Sequence, residues 1–332
     1  YYTITDIKEL QKLKKKISEI GLCAIDTETD SLNIDKANLV GISLCYDESK
    51  AYYIPIRHKD SKTNKSFKNQ IELNDVINKI SSICVDHSVL KIGQNIKYDL
   101  RILKKYDVEL NSIADTMLMS YALDNGITRH NIDDLAFKHL NHTTTKFKEL
   151  VGSGKKEITF DYVKIAEATN YAAEDVYITL KLFNIFLERI AREKNSFIYN
   201  KVDRPLIKVL AYMENEGVKI DKEYLEKLSA NFFKQITVLE KKILSITKKE
   251  FNIGSPKQLG EILFEHMGIK GSKKTKSGTY STDSKILEEL ALNGEEIAQH
   301  ILNWRELSKL KSTYTDSLVE QISNKTGRVH TS

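Results

Sequence analysis

LCAIDTETDSL (22–32) opens as a short apolar run and then turns acidic. The run fits a buried strand over 22–26. Side chains alternate along a strand, so Asp26 and Glu28 leave the same face of a sheet. Two like charges that close repel, and a fold tolerates them mainly when a cation sits between them. Hard cations such as Mg²⁺ prefer carboxylate oxygens, which makes the pair half of a candidate metal site. Taken alone, the stretch reads better as a solvated surface than as a metal site. In a chain with 46 acidic residues, an Asp-x-Glu arises by chance.

Around this strand the first half alternates strand and helix signals. Residues 5–19 predict a helix with Thr5 as N-cap and Ile7, Leu10 and Leu13 on one face. NLVGISLCY (38–46) and AYYIPI (51–56) read as two strands of a meander joined by the turn DESK. VLKIG (89–93) is a fourth strand, feeding a helix at KYDLRILKKY. Helical periodicity then dominates at 113–124, 131–140 and 161–200. A mixed sheet followed by helices is an α/β layer and not a bundle.

The second half is helical. RPLIKVLAYMENEG (204–217) has Pro205 in its first turn and Gly217 as its stop. Long helices follow at 221–250, from Ser255-Pro256 onward, and at 284–292 and 294–322. GIKGSKKTKSGTYSTD (268–283) reads as an exposed basic loop. Two domains are expected, 1–200 and 201–332, as suits 332 residues.

Two further segments carry candidate chemistry. GQNIKYDLRIL (93–103) sets Asn95, Tyr98 and Asp99 at a strand-to-helix junction, where α/β folds collect ligands. YAAEDVYITLKL (171–182) puts Tyr171 and Asp175 four apart, on one helix face. A tyrosine hydroxyl beside a metal-bound carboxylate is placed to hold a water. Each residue alone also fits an ordinary role: a half-buried tyrosine, a solvent-facing acid.

Together, and in this order, DTETDSL, GQNIKYD and YAAED resemble the DEDD superfamily of exonucleases in its tyrosine-bearing form. The similarity is closest to the proofreading domain of bacterial family A DNA polymerases, and ADTMLMSYALD (114–124) matches too. Downstream, VKIDKEYL, SPKQLGEILFEHMG, KKTKSGTYSTD and LSKLKSTYTDSL resemble the thumb of the same polymerases, and KTGRVHTS the entry to the palm. The resemblance implies an RNase H-like mixed-sheet exonuclease domain followed by an all-α thumb. Palm and fingers, with the polymerase carboxylates, are not in the sequence. The chain opens without Met and is expected to be a piece of a longer polypeptide.

The resemblance also implies two-metal hydrolysis with Mg²⁺, or Mn²⁺, that takes nucleoside 5′-monophosphates from DNA 3′ ends. Asp26, Glu28 and Asp175 would hold one ion, Asp26 and Asp99 the other, and Tyr171 would orient the attacking water. Leu32 matches a wedge against the terminal base, Asn95 a contact near the terminal nucleotide, and Phe147 a stacking aromatic. Core packing is the alternative for Leu32 and Phe147. Lys273, Lys274, Lys276, Lys309 and Lys311 match thumb lysines that track duplex phosphates, against the alternative of a solvated face. Two other readings remain. An RNA 3′-end-trimming ribonuclease of the superfamily would share the carboxylates but not the thumb words. An inactive DNA-binding clamp would not need the full carboxylate set.

Composition bounds the rest. Cys23, Cys45 and Cys84 are an odd count without a CxxC pair, against both a disulfide framework and a thiolate zinc site. His139 and His142 lack a third ligand at zinc spacing and read as surface residues. Asp115 is the most tempting additional acid, and reads as a support behind the ligands or a helix cap and not as a ligand itself. No dinucleotide fingerprint or phosphate-binding glycine loop occurs, and no apolar run is long enough to span a membrane. Residues 201–332 hold four of the five net positive charges, a modest sign of a polyanion partner. A monomer in a reducing cytoplasm, associated with the nucleoid, is the expectation.

Overall fold

In the computed structural model, which describes residues 1–127, 129–271, 275 and 278–331, the chain forms two units, 1–215 and 216–332. The sheet of the first unit comprises β1 (Tyr2–Thr3), β2 (Leu22–Thr29), β3 (Leu39–Asp47), β4 (Lys50–Pro55), β5 (Leu90–Gly93) and β6 (Ile113–Asp115). Their spatial order is β1-β4-β3-β2-β5-β6. β3 is antiparallel to both β2 and β4, whereas β1–β4, β2–β5 and β5–β6 are parallel. Its helices are α1 (Ile7–Ile20), α2 (Leu73–Val85), α3 (Ile96–Lys104), α4 (Thr116–Asp124), α5 (Ile132–Leu140), α6 (Phe147–Val151), α7 (Ile165–Arg192) and α8 (Arg204–Glu216).

Alternation along β2 decides what each face does. Cys23 and Ile25 join one core with Leu10, Leu13 and Ile17 of α1 and Val76, Ile80 and Ile83 of α2. Ala24 joins the other, with Cys45, Ala51 and Val176, Leu180 and Phe183 of α7. Asp26 and Glu28 continue the Ala24 side, so the acidic pair faces the helix that carries Asp175. Small residues let backbone and ring pass closely here. Gly41 pairs with Glu28 across the strands, and a Cβ on it would overlap the Tyr53 hydroxyl and ring. The Tyr53 ring therefore crosses β3 at the one place without a side chain, and its hydroxyl ends 2.7 Å from His58 Nε2.

Several boundaries differ from the sequence reading. α1 is capped by Asp6, whose carboxylate accepts from the Lys8 N–H at 2.6 Å. Thr5 is not the cap, because Ile4 still pairs with the Tyr53 carbonyl and keeps the chain extended. Residues 113–115 are strand and not helix, being paired with Lys91–Gly93. The 161–200 helix runs over 165–192. α8 was expected to open the second domain, yet it lies in the first unit. Its Ile207 enters the α1/α2 core, and its buried Glu214 pairs with Lys97 and, at 2.6 Å, with Arg101 of α3.

The second unit is helical apart from a ribbon, β7 (Val218–Lys219) with β8 (Arg328–Val329). α9 (Lys222–Thr247) leads to α10 (Pro256–Gly260), with Ser255 as its cap and Pro256 in its first turn. α11 (Ser284–Leu292) and α12 (Glu296–Lys309) follow. The helix expected over 294–322 runs unbroken from Glu296 to Glu320, as α12, a π-helical stretch at Leu310–Asp316 and α13 (Ser317–Glu320). Leu259, Leu263, Leu287, Leu290, Ile297 and Ile301 share its core with Ile243 of α9.

Candidate active site

Three carboxylates converge. Oxygens of Asp26 and Glu28, from β2, and of Asp175, from α7, all lie within 4.8 Å of one another. This is the one group of three possible metal ligands among the described residues. Asp99, in the first turn of α3, stands just outside it. Its Oδ1 accepts from the Thr27 N–H at 2.8 Å and the Thr27 hydroxyl at 2.6 Å. The residue between the two β2 acids thus fixes the fourth acid.

Among the described residues, no cation pairs with these acids. Glu28 Oε1 and Asp175 Oδ1 are buried and have no hydrogen-bond partner. Burial pushes Asp26 up to about 7. Burial, and then the charge of Asp26, hold Glu28, Asp99 and Asp175 well above the usual carboxylate range. Buried acids without a counter-charge are costly, and bare carboxylate oxygens are what a hard divalent ion takes as ligands. The donor set fits Mg²⁺ or Mn²⁺.

Tyr171 lies one turn before Asp175. Burial, then the Asp175 charge, push its hydroxyl far above the usual phenol range. Its ring lies 6.0 Å from those of Phe147 and Phe160, which are nearly parallel, with centroids 6.1 Å apart. Phe160 is buried, while Phe147 is 40% exposed, so Phe147 presents a ring edge and face to solvent beside Tyr171. Leu32 follows β2 and is 88% exposed, which removes the core-packing alternative for it. Asn95 is exposed at φ 62°, immediately before α3.

Asp115 is a cap, and a double one. Its carboxylate accepts from the N–H groups of Asn95 (3.3 Å) and Ile96 (2.9 Å) at the start of α3, and of Met117 (2.8 Å) and Leu118 (3.2 Å) in α4. Neither histidine of the 139/142 pair joins a ligand group. His142 bonds Glu174, and the His139 ring meets Phe186 edge-on. In the second unit, Lys309 is exposed at the end of α12. Lys311 pairs with Asp316 at 2.6 Å and lies over the Phe233 ring, so a phosphate would have to draw it from that partner. Lys273, Lys274 and Lys276 lie outside the described residues.

Thr27, Gly41, Tyr53 and His58 went unread in the sequence. Each works through pairing across strands or loops. Only the Thr between the two acids offered a local sign.

Four acids, two from the sheet strand β2 and one each from α3 and α7, thus gather near a tyrosine. The 3′-5′ exonuclease family model matches residues 1–191, and the chain belongs to that family. A second model, DNA polymerase family A, matches residues 222–332. Among curated proteins, DNA polymerase I of Rhizobium leguminosarum is 42% identical over the whole chain, which covers 34% of that protein. DNA polymerase I of Pseudomonas aeruginosa is 38% identical, with 36% of it covered. The chain thus spans about a third of the length of these relatives. Among solved structures, the POL domain of Pol1 from M. smegmatis, in complex with DNA primer-template and dNTP, shares the fold. The TM-score is 0.75 at 23% identity, over all of this chain and 52% of that one.

Proposed function

We propose that the chain is a divalent-cation-dependent 3′-5′ exonuclease that removes nucleoside 5′-monophosphates from DNA 3′ ends, the proofreading nuclease of a DNA polymerase I acting in replication and repair. The observation that carries this is the Asp26–Glu28–Asp175 cluster with its partnerless oxygens beside Tyr171. Those three acids would hold one ion, and Asp26 with Asp99 a second. Bound there, Mg²⁺ or Mn²⁺ supplies an acidified water and positive charge for the departing 3′ oxygen.

The chain's own groups do the rest. Tyr171 remains a neutral phenol at physiological pH, so its hydroxyl is available to orient a water toward the phosphorus. Phe147 offers a stacking surface for an unpaired terminal base, Leu32 a wedge beside it, and Asn95 a polar contact near the terminal nucleotide. Duplex phosphates would be met by Lys273, Lys274, Lys276, Lys309 and Lys311 of the second unit, without sequence reading. The protein acts as a monomer in the cytoplasm, associated with the nucleoid. No helix among the described residues is long and apolar enough to cross a membrane.

The test is Mg²⁺-dependent release of 5′-monophosphates from 3′-labelled single-stranded DNA, with RNA of the same sequence alongside. Preference for RNA would replace this reading with the 3′-end-trimming ribonuclease. Failure to cleave either, with DNA still bound, would leave the inactive clamp.

A further inference from the structure

α7 carries another acid, Glu174, between Tyr171 and Asp175, and it takes no part in the cluster. Glu174 is 8% exposed and reaches the connection between α5 and α6. Its Oε2 accepts from the Thr145 N–H at 2.8 Å, and its Oε1 from His142 Nε2 at 2.8 Å. An ionised carboxylate only accepts, so His142 donates from Nε2 and both oxygens of Glu174 are engaged. The same connection is held on its other side by Asp133 of α5, which receives the Thr144 hydroxyl and, at 2.8 Å, the Lys146 ammonium. Two residues beyond Thr145 the chain enters α6 with Phe147, whose ring leans on Tyr171.

A charge at position 174 also adds to those that raise Asp175. Simple helix packing gives no reason to accept that cost. The two bonds to the 142–145 segment do give one.

We infer that Glu174 is a positioning residue that fastens the Phe147 platform to the helix bearing Tyr171 and Asp175, so that a base stacked on Phe147 sets its phosphate in register with the carboxylates. This rests on the exonuclease reading above. Glu174 acts through Phe147, since both its oxygens are used on the segment leading to that ring.

The experiment compares Glu174→Ala, Glu174→Gln, Phe147→Ala and the double variant Phe147→Ala/Glu174→Ala. Three measurements are made: steady-state cleavage of a single-stranded oligonucleotide, Mn²⁺ affinity without DNA, and amide exchange of residues 142–147. For Glu174→Ala, KM rises about tenfold, the lower range for losing one base–aromatic stack, while kcat stays within about threefold. Mn²⁺ affinity is unchanged and residues 142–147 exchange faster. Glu174→Gln behaves as wild type. Its carbonyl accepts from Thr145 and its amide donates to the other His142 tautomer. The double variant is no worse than Phe147→Ala. Additive losses in the double variant, a fall in Mn²⁺ affinity, or unchanged exchange in Glu174→Ala would each overturn the inference. A wild-type chain that cleaves no DNA would defeat the exonuclease reading instead, and the exchange comparison would still decide the fastening.

Discussion

Asp26 is the residue on which both proposed ions depend, and its carboxyl is held at about 7, above the usual Asp value of 3.8. The sign of the consequence follows from linkage. Below about pH 4 the acid is protonated whether the chain is folded or not, and its burial carries no ionic cost. As pH rises toward 7 the unfolded chain ionises first, so the metal-free protein loses stability, on the order of 4 kcal/mol by pH 8. Asp26→Asn should therefore melt higher than wild type in chelator at pH 8, with the gap narrowing as pH falls and closing below about pH 4. A pH-independent difference would contradict this. The same variant should lose nearly all hydrolysis, and more than a few per cent of the wild-type rate would break the two-ion assignment. Tyr171→Phe keeps the ring contacts and all four acids, so the expected rate loss is roughly one to two orders of magnitude, with unchanged Mn²⁺ affinity. A loss as deep as that of Asp26→Asn would mean that the hydroxyl holds the cluster together.

Among the elements, α3 and α4 start from one side chain, and that makes Asp115 the most sensitive cap in the first unit. Asp115→Ala leaves N–H groups at both helix starts without their acceptor, at a cost of about 2–4 kcal/mol for two caps. A thermal melt should show a fall of several degrees, and amide exchange should rise at the starts of both helices. If only α4 responds, α3 has another hold. Periodicity made the site itself legible: Asp26 and Glu28 share a face because strands alternate, and Tyr171 and Asp175 meet because helices turn every 3.6 residues. What periodicity cannot carry is a partner far along the chain. Thr27 meets Asp99 across 72 residues, and Glu174 meets Thr145 across 29. Boundaries suffered for a related reason. Thr5 and Asp6 are both good caps, and the choice between them was made by Ile4 pairing with β4.

At the scale of the whole molecule, the proposed catalytic acids all lie before residue 180, while four of five net positive charges lie after 200. The second unit is thus proposed to supply duplex affinity without chemistry. Replacing Lys273, Lys274 and Lys276 together by Ala should flatten the slope of log affinity against log salt by as much as about 2.7, at roughly 0.9 per phosphate contact. Cleavage of a short single strand at saturating concentration should hardly change. An untouched salt slope, or lost single-strand cleavage, would defeat the division of labour. The boundary at 215 and not 200 matters here: α8 is tied through Glu214 to Arg101, on the helix that carries Asp99, so it goes with the nuclease.

The partnerless oxygens of Glu28 and Asp175 also bear on how such a site ages in a lineage. Replacing any of these acids by a neutral residue relieves repulsion in the empty fold, so a step away from activity is a step toward a firmer protein. Drift then runs downhill, one acid at a time, with no unstable intermediate to block it. A complete set of four is what continuous selection for the proposed reaction would leave behind.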